Sequence, residues 1–121
     1  MLTSSVTQLN EYAGRLIAGD EMLQGLLVEG ELSNFKAHSS GHWYFTLKDA
    51  QSSVRCVMFR QYNRSVNFRP ADGMKVIIGG GANLYLRDGA FQLYAQTMAN
   101  AGLGMLYEKY EALKAKLAAE G

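Results

Sequence analysis

The chain has 121 residues, 48% of them hydrophobic and 19% charged, which suits one modest globular core and excludes a disordered chain. Its net charge of +1 excludes a uniformly basic surface. The charge is nevertheless uneven: residues 1–32 set Arg15 against Glu11, Asp20, Glu21, Glu29 and Glu31, whereas residues 33–70 set Lys36, Lys48, Arg55, Arg60, Arg64 and Arg69 against Asp49 alone. Positive charge concentrated in one segment is a local anion-binding signal.

Ser5-Val6-Thr7-Gln8 has the spacing of a capping box, and Leu9, Tyr12, Ala13, Leu16 and Ile17 follow at helical intervals. An amphipathic helix is therefore predicted over residues 6–18, ended by Gly19-Asp20. Residues 26–36 alternate, with Leu26, Val28 and Leu32 on one side and Glu29, Glu31, Ser33 and Phe35 on the other, which predicts a first strand. After a loop at 37–41, residues 42–48 alternate more sharply. Trp43, Phe45 and Leu47 form an apolar face, while His42, Tyr44, Thr46 and Lys48 form an aromatic and basic one. Asp49-Ala50-Gln51 turns the chain into a third strand, 53–60.

Residues 61–68 lose the alternation and suit a short helix or an irregular connector, and Pro70 and Asp72-Gly73 break the chain before a fourth strand begins at Met74. That strand runs through Gly79-Gly80-Gly81, and glycines inside a strand mark a bulge, a bend or a close backbone approach. It recovers through Leu84-Tyr85-Leu86, turns at Asp88-Gly89 and returns as a fifth strand, 91–98. Residues 105–119 predict a second helix, with Leu106, Tyr110, Leu113 and Leu117 on one stripe. Five strands with a connector between the third and fourth give a mainly β fold, an OB-fold barrel flanked by two helices. An open sheet is the alternative, and the glycine bend favours closure. The layout divides a single domain into a helical segment (1–22), a barrel (24–99) and a C-terminal helix (103–120).

Several blocks in this order resemble one family. Val28-Glu29-Gly30-Glu31-Leu32-Ser33-Asn34-Phe35-Lys36, Ser40-Gly41-His42-Trp43-Tyr44-Phe45-Thr46-Leu47-Lys48-Asp49 and Arg55-Cys56-Val57-Met58-Phe59-Arg60 are similar to the N-terminal domain of the exodeoxyribonuclease VII large subunit. Asp72-Gly73-Met74-Lys75-Val76, Ala101-Gly102-Leu103-Gly104, Leu113-Lys114-Ala115-Lys116-Leu117 and Ala119-Glu120-Gly121 extend the resemblance over nearly the whole chain. It implies an OB-fold domain that binds single-stranded DNA and feeds a catalytic domain absent from these residues, with small subunits gathered elsewhere in the parent. The parent would be a single-strand-specific exodeoxyribonuclease, and this fragment alone would not be catalytic. Where the family often carries arginines either side of a strand-four glycine, this chain has Gly79 and Gly81.

The residues themselves point the same way. Outward aromatics beside outward cations on a sheet suit unpaired nucleic acid, because bases stack on rings and phosphates meet charges. The expected contacts are Tyr44 with His42, Lys48, Arg55 and Arg60 around the hairpin, Phe35 and Lys36 at the end of the first strand, and Tyr85 and Arg87 beside the strand four–five turn. Trp43 falls in the core phase. His38 and His42 lack a third ligand and do not make a metal site, and the glycine run lacks the Lys-Ser or Lys-Thr of a phosphate loop. No cofactor is expected. The rivals are a protein-interaction OB domain and an RNA-binding OB module. The single cysteine, Cys56, cannot form an intrachain disulfide, and no secretory signal or membrane-length apolar run is present, so a cytoplasmic location is expected.

Overall fold

The computed structural model describes residues 3–101. The predicted C-terminal helix lies outside the described residues. Within them the chain forms α1 (Val6–Ala18), β1 (Leu26–Ala37), β2 (Trp43–Lys48), β3 (Ser53–Met58), α2 (Arg60–Asn63), β4 (Lys75–Tyr85) and β5 (Ala90–Asn100). The strands close into a barrel in the order β1-β2-β3-β5-β4, mainly β and five-stranded as the sequence pattern predicts. All neighbours are antiparallel except β3 and β5, whose parallel pairing closes the sheet on itself. No helix among the described residues is long and apolar enough to cross a membrane.

α1 starts on a complete capping box: the Ser5 hydroxyl accepts from the Gln8 amide at 3.1 Å, and the Gln8 side chain accepts from the Ser5 amide at 2.8 Å. The reciprocal bonds satisfy two amides that the first helical turn would otherwise leave free. The buried Gly14 lets the helix approach β4, where the space above its Cα is bounded by Leu84, Leu86 and Asn83. Asn10 donates to the Leu86 carbonyl at 3.2 Å, and the Gln24 carboxamide donates to the Ile17 and Ala82 carbonyls at 3.0 and 2.7 Å. The outer stripe of Leu9, Tyr12 and Leu16 stays exposed.

Inside the barrel, Leu32, Phe45, Leu47, Cys56, Met58, Val76, Ile78, Leu93, Ala95 and Met98 form the core. β3 stops two residues short of the predicted end because Phe59 becomes the N-cap of α2, a single helical turn across the barrel's end. The glycine run bends β4 at a bulge between Gly79 and Gly80, opposite Ala95–Thr97 of β5. A Cβ on Gly80 would collide with the Tyr94 carbonyl oxygen, so only glycine lets these two backbones approach. At Gly81 the corresponding space holds the Gln24 side chain, which seals the α1–β1 loop onto β4.

A second bulge corrects one sequence-based expectation. β1 shifts register between Ser33 and Lys36, where Asn34 adopts a φ of +52°, a left-handed conformation that asparagine tolerates better than most residues. Strict alternation puts Phe35 outward; the extra residue turns it inward instead, half-buried against the core and edge-on to Trp43 at 5.3 Å. Asp72, from the β3–β4 connector, pins the bulge by accepting from the Phe35 amide at 2.9 Å. Lys36 stays exposed and pairs across the strands with Tyr44.

Candidate nucleic-acid interface

Register across the strands arranges the outward side chains in rows. One row runs Lys36 (β1), Tyr44 (β2), Val57 (β3), Tyr94 (β5) and Gly81 (β4). The next runs Ser33, Thr46, Arg55, Gln92 and Asn83. Paired residues share a sheet face, so the first row is aromatic and the second offers hydrogen-bonding groups and a guanidinium. Val57 is buried although its phase is outward, and it forms a floor between the flanking Tyr44 and Tyr94.

Further rings extend the aromatic row. His38 meets Tyr44 edge-on at 5.9 Å, Phe59 stacks on Tyr94 at 6.1 Å, and His42 meets Phe59 edge-on at 5.1 Å. Burial, and then the neighbouring Tyr85, push the Tyr94 phenol above its ordinary pKa, so this hydroxyl remains a neutral donor well past neutral pH. His42 Nδ1 accepts from the Arg60 amide at 3.1 Å, which places its ring proton on Nε2 and ties the ring to the first turn of α2. His38 is held within its loop, where its Nδ1 meets the Ser40 hydroxyl at 2.9 Å and accepts from the Ser40 amide at 3.1 Å.

The residues expected from the sequence divide among three places. Tyr44, Lys36, Arg55, His42 and Arg60 come together on or beside the aromatic row, and Arg60 packs under Gly41 of the β1–β2 loop. Tyr85 ends β4, 43% exposed and within electrostatic reach of Tyr94, with Arg87 exposed in the turn that follows. Lys48 lies at the opposite end of the sheet and pairs with Glu31 at 3.5 Å, beside Glu29, Asp49 and Lys75. That end is acidic, and the Lys48 charge there is offset before any phosphate arrives. Asp49 stays ionised well into acid because the Gln51 and Ser52 amides both donate to it at 2.8 Å. Phe35 leaves the face altogether.

Two rings escape the sequence reading, Phe59 and Tyr94, and His38 enters it only with His42, as a metal ligand, a phosphate contact or an exposed residue. For Phe59 and Tyr94 a signal is present. Phe59 shares the phase of Arg55 and Val57, opposite the buried Cys56 and Met58, and Tyr94 alternates with the buried Leu93 and Ala95, the same pattern that exposes Tyr44 beside Phe45. Only the parallel β3–β5 pairing reveals that Tyr94 stands beside Val57, and that contact is non-local. Among the described residues no three His, Cys, Asp or Glu side chains gather as a metal site. Cys56 is buried in the core, and burial pushes its thiol up to about 12, far from a reactive thiolate.

Known proteins share this architecture and sequence. Exodeoxyribonuclease 7 large subunits match nearly the whole chain: that of Natranaerobius thermophilus is 51% identical over 119 residues, covering 98% of this chain and 28% of its own length. Those of Brevibacillus brevis and Shewanella frigidimarina are 52% and 49% identical, each covering 97% of this chain and 25% and 26% of their lengths. The chain thus spans roughly a quarter of these relatives. Among solved structures, the S. pombe Stn1-ten1 complex shares the fold with a TM-score of 0.56 at 16% identity, covering 80% of this chain and 71% of that one. A putative aspartyl-tRNA synthetase from Leishmania major Friedlin does so with a TM-score of 0.51 at 10% identity, covering 65% and 18%. The model of the OB-fold nucleic acid binding domain matches residues 4–99, α1 and all of the barrel but the last residue of β5, and the chain belongs to that family.

Proposed function

We propose that this domain binds single-stranded DNA with little sequence preference and presents it to the catalytic domain of an exodeoxyribonuclease VII large subunit in the cytoplasm. The small subunits of that enzyme would associate outside this region. The observation that carries the reading is the row Lys36–Tyr44–Val57–Tyr94 with Phe59 stacked at its end: two ring platforms over an apolar floor, flanked by cations. Rings stack on any base and the cations follow the backbone, so the row favours an unpaired strand over a duplex whose bases are already stacked. The high identity to large subunits of this nuclease supports the assignment of the parent enzyme.

The test is a titration of end-labelled deoxyoligonucleotides, single-stranded and duplex, against matched ribo-oligomers. Saturable binding of the single-stranded deoxy form, tighter than the duplex, is expected. Preference for the ribo-oligomer would move the domain to RNA, since a site contacting the 2′-hydroxyl discriminates in that direction. Absence of binding to every nucleic acid would leave the row as a protein contact and end the proposal.

A further inference from the structure

At the loop end of the sheet the β1–β2 hairpin, here called the arm, stays paired to β3 through Trp43–Met58 and Tyr44–Val57, and it has an outer face and a face turned toward the end of the barrel. Lys36 and Tyr44 lie on the face described above, while Phe35 and Trp43 lie on the other, turned there by the Asn34 bulge. Beneath that second face the β3–β4 connector forms the far wall of an open groove of about 580 Å³, with Phe35 and Trp43 on one side and Phe68, Asn67, Arg69 and Pro70 on the other. The volume falls within the about 300–1,000 Å³ range of small-ligand sites. Its lining combines half-buried rings that pack against the core with an exposed carboxamide, which can both donate and accept, and an exposed guanidinium, groups that suit a base and a phosphate. No carboxylate lines it, and Arg69 has no ion-pair partner among the described residues.

Charge also directs a strand toward it. At the far end of the sheet, Glu29, Glu31 and Asp49 outnumber Lys48 and Lys75 around one concavity, so phosphates leaving the aromatic row meet no net positive charge in that direction. The arm's end carries no acid from Ser33 to Leu47, and the connector below it sets Arg64 and Arg69 against Asp72, whose carboxylate is engaged by the Phe35 amide. We propose that the groove under the arm, between Trp43 and Phe68 with Asn67 and Arg69 at its rim, is a second subsite that takes a base and phosphate of the same single strand after it passes over the loop at 38–42. The inference rests on the reading of the outer row as a single-strand site and extends its footprint around the arm.

Trp43 is the only tryptophan in the chain, so its fluorescence reports on this groove without a label. The experiment uses the full chain with oligothymidylates of about 4 and about 12 nucleotides, a short and a longer length within the about 4–16 nucleotides that one OB-fold spans. Anisotropy of the labelled oligomer gives affinity, and Trp43 emission gives occupancy of the groove. The short oligomer is expected to bind with little change in Trp43 emission. The long one is expected to quench Trp43 and to bind about 5–150-fold more tightly, the effect of one added base–ring stack. Asn67→Ala combined with Arg69→Ala, both exposed positions, should remove the quench and the gain while leaving short-oligomer affinity within about twofold. Trp43 emission unchanged at saturation by the long oligomer, or a length-dependent gain that survives the double substitution, overturns the second subsite and leaves the outer row standing. Failure of both lengths to bind removes the outer row and the subsite together.

Discussion

Tyr44→Ala separates binding from folding, because Tyr44 is 43% exposed and its neighbour Phe45 only 4%. Truncating Phe45 empties a core position and should cost about 3–5 kcal/mol of stability. Truncating Tyr44 removes an outer ring whose contact is the edge of His38, and should shift stability by no more than about 0.5 kcal/mol. Against a single strand the order reverses: losing one base stack costs about 1–3 kcal/mol, or about 5–150-fold in affinity. Tyr94→Ala should cost a similar amount. β3 lies between β2 and β5, so the two tyrosines stand two interstrand spacings apart, about 9.6 Å. Substitutions at that separation add to within about 0.5 kcal/mol, so the double variant should lose about 2–6 kcal/mol of binding. Phe59 stacks directly on Tyr94, and losses in that pair should depart from their sum by at least about 0.5 kcal/mol. Anisotropy titrations at fixed salt give the binding energies, and urea unfolding of the same variants gives the stabilities. A folded Tyr44→Ala protein with unchanged affinity would refute the stacking row. So would a Tyr44→Ala variant as unstable as Phe45→Ala, because that result reverses the strand phase.

Salt should weaken binding through the cations on and beside the aromatic row. With Lys36, Arg55, Arg60 and Arg87 in contact, log affinity against log salt should slope about −2.8; Arg55→Ala should make it shallower by about 0.7, whereas Lys48→Ala should leave it unchanged because Glu31 already offsets that charge. Phe35→Ala should cost about 2 kcal/mol in urea unfolding, roughly half the value for a fully buried ring, and a loss of DNA affinity without loss of stability would put the ring back on the outer face. Alkaline pH should destabilise the domain through Cys56, whose thiol burial pushes from 9.0 up to about 12. The unfolded chain ionises first and binds fewer protons than the native state above pH 9, so stability should fall by at most about 1.4 kcal/mol per pH unit up to about pH 12. The partly buried Tyr94 phenol adds a loss of the same sign, so the comparison that isolates the thiol is Cys56→Ala, whose stability should fall less between about pH 8 and about pH 10.5.

The barrel was legible because its signals are local. The Ser5–Gln8 box starts α1 where the spacing puts it, and the alternation of Trp43 through Lys48 gives both the inner and outer faces of β2. The glycine run pointed to a bend, and Gly80 shows why: its Cβ position is filled by a backbone carbonyl of the neighbouring strand. What the sequence hid depends on residues far apart. Nothing near Phe35 announces that Asp72 will hold its amide and lock an extra residue into β1. Nothing near Lys48 announces that Glu31 will face it across the ladder, although both residues were in view.

These two hidden features act together on the candidate interface. Without the Asn34 bulge, alternation would place Phe35 outward and Lys36 inward, adding a ring and removing a cation at the edge of the row. With it, Lys36 stands beside Tyr44 and Phe35 closes the core beneath the arm, so one inserted residue exchanges a hydrophobic contact for an ionic one. The Glu31–Lys48 pair meanwhile withdraws a cation from the other end of the same two strands. The net effect is a polarised hairpin: its tip is cationic and aromatic, its base acidic. Under the proposed function, a strand drawn to the tip would be steered across the sheet along Tyr44 and Tyr94 rather than lengthwise down β2 toward Glu31. The bulge and the ion pair, neither of which is visible in local periodicity, therefore set the charge polarity of the candidate interface.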